Sequence, residues 1–279
     1  MTLPQHTDHL IRYRQQVDNA EAYVLPFVRQ AMEVGPGIDV MDIGCGEGGV
    51  LVPFLEAGCR AVGVELDAPK YGHARELLSA YIEAGRCEVV NRNIYDEEAL
   101  AQFGGRFDLI ILKDVIEHIP DQERFIPYLR TFLKPGGHVF FGFPPWYMPH
   151  GGHQQVCRNR LLSMLPYFHL LPNPLYRGIL RLGGETEALA DELLEVKSTG
   201  ISIERFERIV RGAGYAIPQR TLFLINPIYR YKFGLKPRKQ WGPVAAIPWV
   251  RDFLSTCAYY MVRDMRPAVP AQQEPIATA

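Results

Sequence analysis

The stretch "VMDIGCGEGGV" spans Val40–Val50, where an apolar run meets four glycines, with Asp42 just before them and Glu47 among them. Turns without side chains let the backbone approach a ligand, and a helix that follows such a turn offers unpaired N–H groups. Gly44, Gly46 and Gly49 also fit the spacing G-x-G-x-x-G, which alone is a weak dinucleotide signal. A phosphate loop is excluded, because no Gly-Lys-Ser/Thr follows. The surrounding hundred residues decide between the remaining readings.

Working outward, "IDVMDI" (38–43) is a short run rich in β-formers and reads as a buried strand. Further strands are expected at "RAVGVELD" (60–67), "CEVVNRNI" (87–94), "FDLIILKD" (107–114) and "HVFFGF" (138–143). Helical stretches lie between them, including "VLVPFLEAG", "APKYGHARELLSAYIEAG" and "DQERFIPYLRTFL". A preceding helix is expected over about Asn19–Val34, kinked or broken at Pro26. Strict β-α alternation with short connections predicts a doubly wound, mostly parallel α/β sheet, helices on both faces, with its ligand beyond the carboxyl ends of the strands. Gly44–Gly49, Glu65, Asn93 and Lys113–Asp114 each end or follow one strand, so four stretches converge on one rim.

Asp42 would repel a pyrophosphate at the turn but suits an ammonium group. Glu65, nineteen residues after Gly46, can accept both ribose hydroxyls, and Asn93 can meet an adenine edge. With these residues, "DIGCGEGG", "VGVELD", "VNRNIYD", "FDLIILKDVIEHIPD" and "LKPGGHVFFGFP" in order resemble the motifs of the class I S-adenosylmethionine-dependent methyltransferases. The resemblance covers about residues 38–143 and 200–225. It implies a seven-stranded Rossmann-like sheet, S-adenosyl-L-methionine as methyl donor, and a donor site drawn from Asp42, Gly44, Cys45, Gly46, Gly48, Glu65, Leu66, Asn93, Ile94 and Lys113. Asn93 stands where an Asp is commoner in the family. Cys45 is expected to pack there rather than act as a nucleophile.

The remaining segments fall outside the shared core. The expected division is 1–143 for the N-terminal helices and donor-binding core and 144–200 for a helical insertion or lid. The end of the core follows at 201–234, then a C-terminal extension at 235–279 with a disordered tail. In the insertion, "PPWYMPHGGHQQVCR" leaves the fifth strand at the rim, so Trp146 and Tyr147 are candidate substrate contacts. His153, then His150 and His118, are candidate proton acceptors, since imidazole titrates near operating pH. "KDVIEHIPD" also gathers Asp114, Glu117 and His118, a cluster similar to one in the ubiquinone-pathway O-methyltransferases, where a divalent ion can assist. The favoured reading is that Glu117 and His118 orient the loop, and no metal is assigned. The tail segment "IPWVRDFLSTCAYYMVRDMR" reads as an apolar helix that packs on the main domain or a second subunit, with peripheral membrane contact left open.

Of 279 residues, 47% are hydrophobic and 22% charged, a globular composition. Residues 1–200 carry 18 basic against 26 acidic side chains, while residues 201–279 carry 12 against 5. Five cysteines without a CxxC pair argue against a disulfide framework or a structural zinc site and fit a reducing cytoplasm. The polar N-terminus lacks the apolar core of a signal peptide. The expected reaction is methyl transfer to a small-molecule or lipid- or sugar-linked intermediate, most simply on oxygen. The alternatives are a nucleic-acid or protein methyltransferase, a non-catalytic donor-binding protein and an NAD oxidoreductase. "LKDV" at the fourth strand lacks the Asn/Asp-Pro-Pro-aromatic pattern of amino methylation, and no RNA module is present.

Overall fold

The apolar stretches that follow the helical N-terminus line up as parallel strands: β1 (Asp39–Ile43), β2 (Arg60–Glu65), β3 (Cys87–Asn91), β4 (Phe107–Lys113) and β5 (Leu133–Phe143). The structure, a computed structural model, describes residues 8–265. β6 (Tyr215–Ile225), β7 (Arg238–Lys239) and β8 (Cys257–Asp264) complete an eight-stranded sheet of order β3-β2-β1-β4-β5-β8-β6-β7. The first five strands are parallel, and β8 is antiparallel to both its neighbours. The strand beyond the seven expected is the two-residue β7 on the edge of β6. Successive residues of each central strand feed opposite cores. Met41, Ile110, Phe141 and Tyr260 face one core, and Val40, Ile111, Phe140 and Tyr259 the other. Both faces are therefore covered, as a doubly wound sheet requires.

Two segments differ from the sequence reading. The helix expected over 247–266 is instead one short helix, Val250–Phe253, followed by β8. "CAYYMV" is a continuous apolar run rich in β-formers. Inserted between β5 and β6 and buried on both faces, it satisfies its backbone in the ladder. The sheet thus closes at Asp264 rather than near residue 234. After β6 the chain turns into a short helix, Tyr229–Phe233. The first helix starts earlier than expected, at His9, where Asp8 caps it. It runs to Asn19, widens into a π turn (Ala20–Val24) and resumes at Leu25–Val28. Pro26 has no amide hydrogen to continue the α ladder, which accounts for the irregularity just before it. The proposed disordered tail from Pro267 lies outside the described residues, as do the first seven residues.

Residues 144–200 form their own small core around Phe168, Tyr176, Leu180 and Leu193. The insertion is tied back to the sheet by buried polar contacts. The Gln122 side chain donates to the carbonyls of Ile116 (3.0 Å) and Thr199 (2.5 Å), and the Thr199 hydroxyl donates to the Glu117 carbonyl (2.6 Å). All five cysteines are free and buried. Among the described residues no helix is long and apolar enough to cross a membrane.

The segment before β8 is held on the helix Ile203–Gly212 by a carboxyl pair. Asp252 accepts from the Ile203 amide (2.9 Å), and Glu204 accepts from the Trp249 amide and from Arg251. The buried oxygens left over, Asp252 Oδ1 and Glu204 Oε2, are both acceptors, and a proton shared between the two groups satisfies them together. Burial, and then the bond to Glu204, push the Asp252 carboxyl up to about 8. An acid whose folded value is raised holds a proton that the unfolded chain has lost. Stability therefore falls as pH climbs from the ordinary carboxylate range through about 8. Asp252→Asn keeps both contacts without titrating. Its melting temperature relative to the parent protein is expected to rise steadily between pH 5 and pH 8.5. A gap that does not change with pH in thermal scans contradicts the shared proton.

Candidate active site

The carboxyl rim of the sheet holds three adjoining cavities. The first, about 180 Å³, is bounded by Asp42, Gly44, Cys45 and Lys113 from the sheet side and by Arg12, Gln15, Gln16 and Asn19 from the N-terminal helix. The second, about 370 Å³, is lined by Glu65, Leu66, Asn93, Ile94, Tyr95, His118 and Phe125 among others, and meets the first at Gly44. The third, about 250 Å³, lies between the β4 turn and the insertion, with Glu117, His118, Met148, His150, His153, Tyr229 and Phe233 in its wall. It shares Asp114, Ile228 and Lys232 with the first and His118 with the second.

The glycine turn follows from its geometry. Gly44, Gly46 and Gly48 have φ of +71°, +57° and +81°, a region where L side chains are strained. Gly49 has an ordinary φ, but a Cβ there lies 2.6 Å from the Tyr13 carbonyl, so the glycine lets the N-terminal helix lie directly on the turn. Gln16 accepts from the Gly49 amide (3.0 Å) and donates to Glu47 (3.2 Å), and Arg12 forms an ion pair with Glu47 (2.6 Å). The second acid of the quoted stretch thus anchors a helix and lines none of the three cavities.

Glu65 accepts from the amides of Gly46 (2.8 Å) and Asp67 (2.9 Å), which leaves further lone pairs on both oxygens. Asn93 accepts from the Tyr95 amide with its side-chain oxygen (3.0 Å). Leu66 is 65% exposed, an apolar surface standing over the larger cavity. Asp42 is 2% exposed and its Oδ2 has no partner. Burial, and then the charge of Glu65, push its carboxyl well up, with Lys113 acting against them. Cys45 is buried and its thiol is pushed well up by that burial, which fits a packing group rather than a thiolate. Lys113 lines the first cavity and forms an ion pair with Asp114 (2.5 Å), whose own backbone sits at φ +57°.

The third cavity brings together groups far apart in sequence. His153, also in a left-handed conformation (φ +55°), packs edge-on against His118 with 5.1 Å between ring centroids. Burial, and then His118, lower His153 to about 4, and burial lowers His118 and His150 as well, so these rings stay neutral. Glu117 is buried with Oε2 unpartnered, and one ligand atom each from Glu117, His118 and His153 lie within 4.8 Å of one another. His150 stands beside Gln154, with 3.5 Å between Nδ1 and Nε2. Trp146 and Tyr147 are not in the wall of this cavity. Trp146 packs edge-on against His169 (4.6 Å between centroids) and fills the space beside Gly200, while Tyr147 stacks on Phe253 (5.2 Å). The sequence reading had no sign of Arg12, Gln15, Gln16 and Asn19, because nothing in a polar N-terminal helix marks its destination.

Known proteins resemble this chain in sequence and in fold. A family described as "Methyltransferase domain" matches residues 14–171. The chain is 34% identical over 139 residues to the ubiquinone biosynthesis O-methyltransferase of Chelativorans sp. (strain BNC1), covering 49% of this chain and 52% of that one. It is 33% identical over 109 residues to the protein of that name from Acinetobacter baylyi, covering 38% and 43%. The chain therefore spans about half the length of the curated relatives it matches. Among solved structures, geranyl diphosphate C-methyltransferase from Streptomyces coelicolor A3(2) is similar with TM-score 0.54 at 14% identity, over 87% of this chain and 79% of that one. Magnesium protoporphyrin IX methyltransferase from Synechocystis PCC 6803 is similar with TM-score 0.51 at 17% identity, over 90% and 84%. At these identities the structural likeness speaks for the fold.

Asp42 sets stability against binding. In the unfolded chain it ionises in the ordinary range, whereas the raised folded value makes its charge costly once pH exceeds that range. Asp42→Asn is expected to melt higher than the parent at neutral pH, by roughly 2–4 °C for each kcal/mol of penalty removed. The difference should vanish near pH 4, and the variant should lose affinity for a cationic ligand. A lower melting temperature at neutral pH contradicts this account.

Proposed function

The chain belongs to the methyltransferase-domain family, and from that premise we propose that it uses S-adenosyl-L-methionine to methylate a hydroxyl of a small-molecule acceptor. The observation that carries this reading is the buried Asp42 carboxyl, whose Oδ2 is unpartnered, in a cavity that opens on one side to Glu65 and Asn93 and on the other to the histidine-lined cavity. Asp42 fits the donor's ammonium, Glu65 its ribose and Asn93 with Ile94 its adenine, against the apolar surface of Leu66. When bound, the donor supplies a sulfonium methyl already activated for in-line displacement. The protein's part is then to align the acceptor and exclude water. The O-methyltransferase name of the curated relatives supports oxygen as the acceptor atom. The apolar walls Met148 and Phe233 favour an acceptor with a lipophilic part, within the class of lipid-linked intermediates. A cytoplasmic site of action fits the free cysteines.

The proton of the acceptor hydroxyl leaves at the pole formed by Glu117, His118 and His153. We keep His153 as the first candidate to receive it, with His118 as its packed neighbour and His150 further from the cluster. Burial lowers His153 to about 4, so it does not titrate near operating pH as the sequence reading expects, and it acts as a neutral, weak base. In a second reading the same three side chains hold a divalent ion that acidifies the hydroxyl. It is favoured by the convergence of two imidazoles with an unpartnered buried carboxylate oxygen.

Calorimetry tests the donor: S-adenosylhomocysteine should bind and NAD should not. Glu65→Gln should weaken donor binding by on the order of 2–3 kcal/mol through loss of charge-assisted bonds to the ribose. Tight NAD binding without donor binding reverses the assignment. With a panel of phenolic and lipid-linked hydroxyl compounds, His153→Ala should retain donor affinity and slow single-turnover transfer by roughly a hundredfold. Transfer abolished by a chelator and restored by a divalent ion selects the second reading. Undiminished transfer in His153→Ala and His118→Ala variants removes the pole from the mechanism.

A further inference from the structure

The chain around β7 carries charge of one sign. No acidic residue occurs from Arg208 to Arg251, and residues 229–241 hold Arg230, Lys232, Lys236, Arg238 and Lys239. Lys236, Arg238 and Lys239 are exposed and take part in no ion pair among the described residues. Large apolar side chains follow at once. Trp241 is 76% exposed and Trp249 58%, and Ile247, Val250, Phe253 and Leu254 are exposed as well. The stretch folds back on itself as a small lobe. Its helices Gly242–Ala246 and Val250–Phe253 pack together, and the Gln240 side chain donates to the Leu254 carbonyl. Trp249 sits at φ +67°, a costly conformation for a bulky residue, and its amide donates to Glu204 (2.9 Å). A strained backbone that holds an indole out in water points to a use for that ring. The Tyr167 hydroxyl donates to the Phe253 carbonyl (3.1 Å), so the lobe adjoins the insertion that walls the third cavity. In the wall of that cavity Val156 and Phe233 are themselves exposed.

We propose that this lobe docks the protein on an anionic membrane surface, with Trp241 and Trp249 at the level of the lipid headgroups and Lys236, Arg238 and Lys239 against their negative charge. Two independent features select that occupant. Tryptophan favours the membrane interface, because its ring is apolar and its N–H needs a polar partner. A basic stretch without acids is drawn to acidic lipid, and each cation adds to the attraction. No described helix is long and apolar enough to cross a bilayer, so the attachment is peripheral. Docking here also gives the third cavity a supply route. An acceptor with a lipophilic part dissolves in the bilayer, and Val156 and Phe233 offer it an apolar edge on the way in. That route rests on the lipophilic-acceptor reading above, whereas the docking does not. A second copy of the chain is the competing occupant, since residues 1–200 carry 26 acidic against 18 basic side chains.

The test is sedimentation of the full chain with vesicles of phosphatidylcholine alone and of an equal mixture with phosphatidylglycerol. The parent protein should bind the mixed vesicles, bind the neutral ones far more weakly, and be released as salt rises. Replacing Lys236, Arg238 and Lys239 by Gln should weaken binding roughly fivefold for each charge removed. Trp241→Ser combined with Trp249→Ser should weaken it by on the order of tenfold or more. Both variants should keep the parent's affinity for S-adenosylhomocysteine in calorimetry, which shows that the fold and the donor site are intact. No binding to the mixed vesicles, equal binding to neutral ones, or undiminished binding by both variants overturns the proposal. Self-association in sedimentation velocity that the tryptophan variant loses, without vesicle binding, overturns it in favour of a second copy. Vesicle binding in a protein that takes no donor supports the docking surface and removes the donor reading alone.

Discussion

The Glu65 carboxylate is the pivot of the rim. One oxygen takes the Gly46 amide and the other the Asp67 amide, so a single side chain at the end of β2 fixes the left-handed glycine turn after β1 and the entry to the helix after β2. A turn made of residues with so much conformational freedom needs such a restraint, because its entropy cost on folding is the largest per residue in the chain. With the turn held, Asp42 is walled off from water and Gly49 offers a bare surface on which the N-terminal helix lies.

The second organising feature is the attachment of the insertion. Thr199 and Gln122 bond the end of its last helix to the turn that carries Glu117 and His118, and Tyr147 and Tyr167 rest on Phe253 at the start of the β8 segment. His153 is thereby brought against His118 across a gap of 35 residues in sequence. The strained backbone at Asp114 and His153, both in the wall of the same cavity, fits a site in which ligand geometry takes precedence over local relaxation.

Two buried carboxyl groups illustrate how similar burial serves different ends. Asp252 closes its orphaned oxygen through a proton shared with Glu204, and this ties the segment before β8 to its neighbouring helix. Asp42 has no such partner and faces a cavity. An uncompensated carboxylate is unfavourable in the empty protein, which is the usual trade between stability and binding at a functional site.

The parallel half of the sheet was legible in sequence because short apolar runs alternate with helical ones, and backbone pairing leaves few other ways to bury them. Asp42, the glycines, Glu65 and Asn93 were legible as well, since each sits at a strand end and strand ends of a parallel sheet share one rim. Where residues meet across long separations, the three-dimensional packing decided. "CAYYMV" reads as either helix or strand until the open position between β5 and β6 selects the strand. Trp146 and Tyr147 lie in a loop at the rim, yet their rings fill space beside Gly200 and Phe253 because the insertion has a core of its own to close. The N-terminal helix carries Arg12 and Asn19 to the wall of the 180 Å³ cavity beside Asp42, lying on the turn where Gly49 admits it. Local pattern determines which elements form and which strand ends carry polar groups. Contacts between distant segments determine which of those groups are left without partners, and those are the groups a ligand can use.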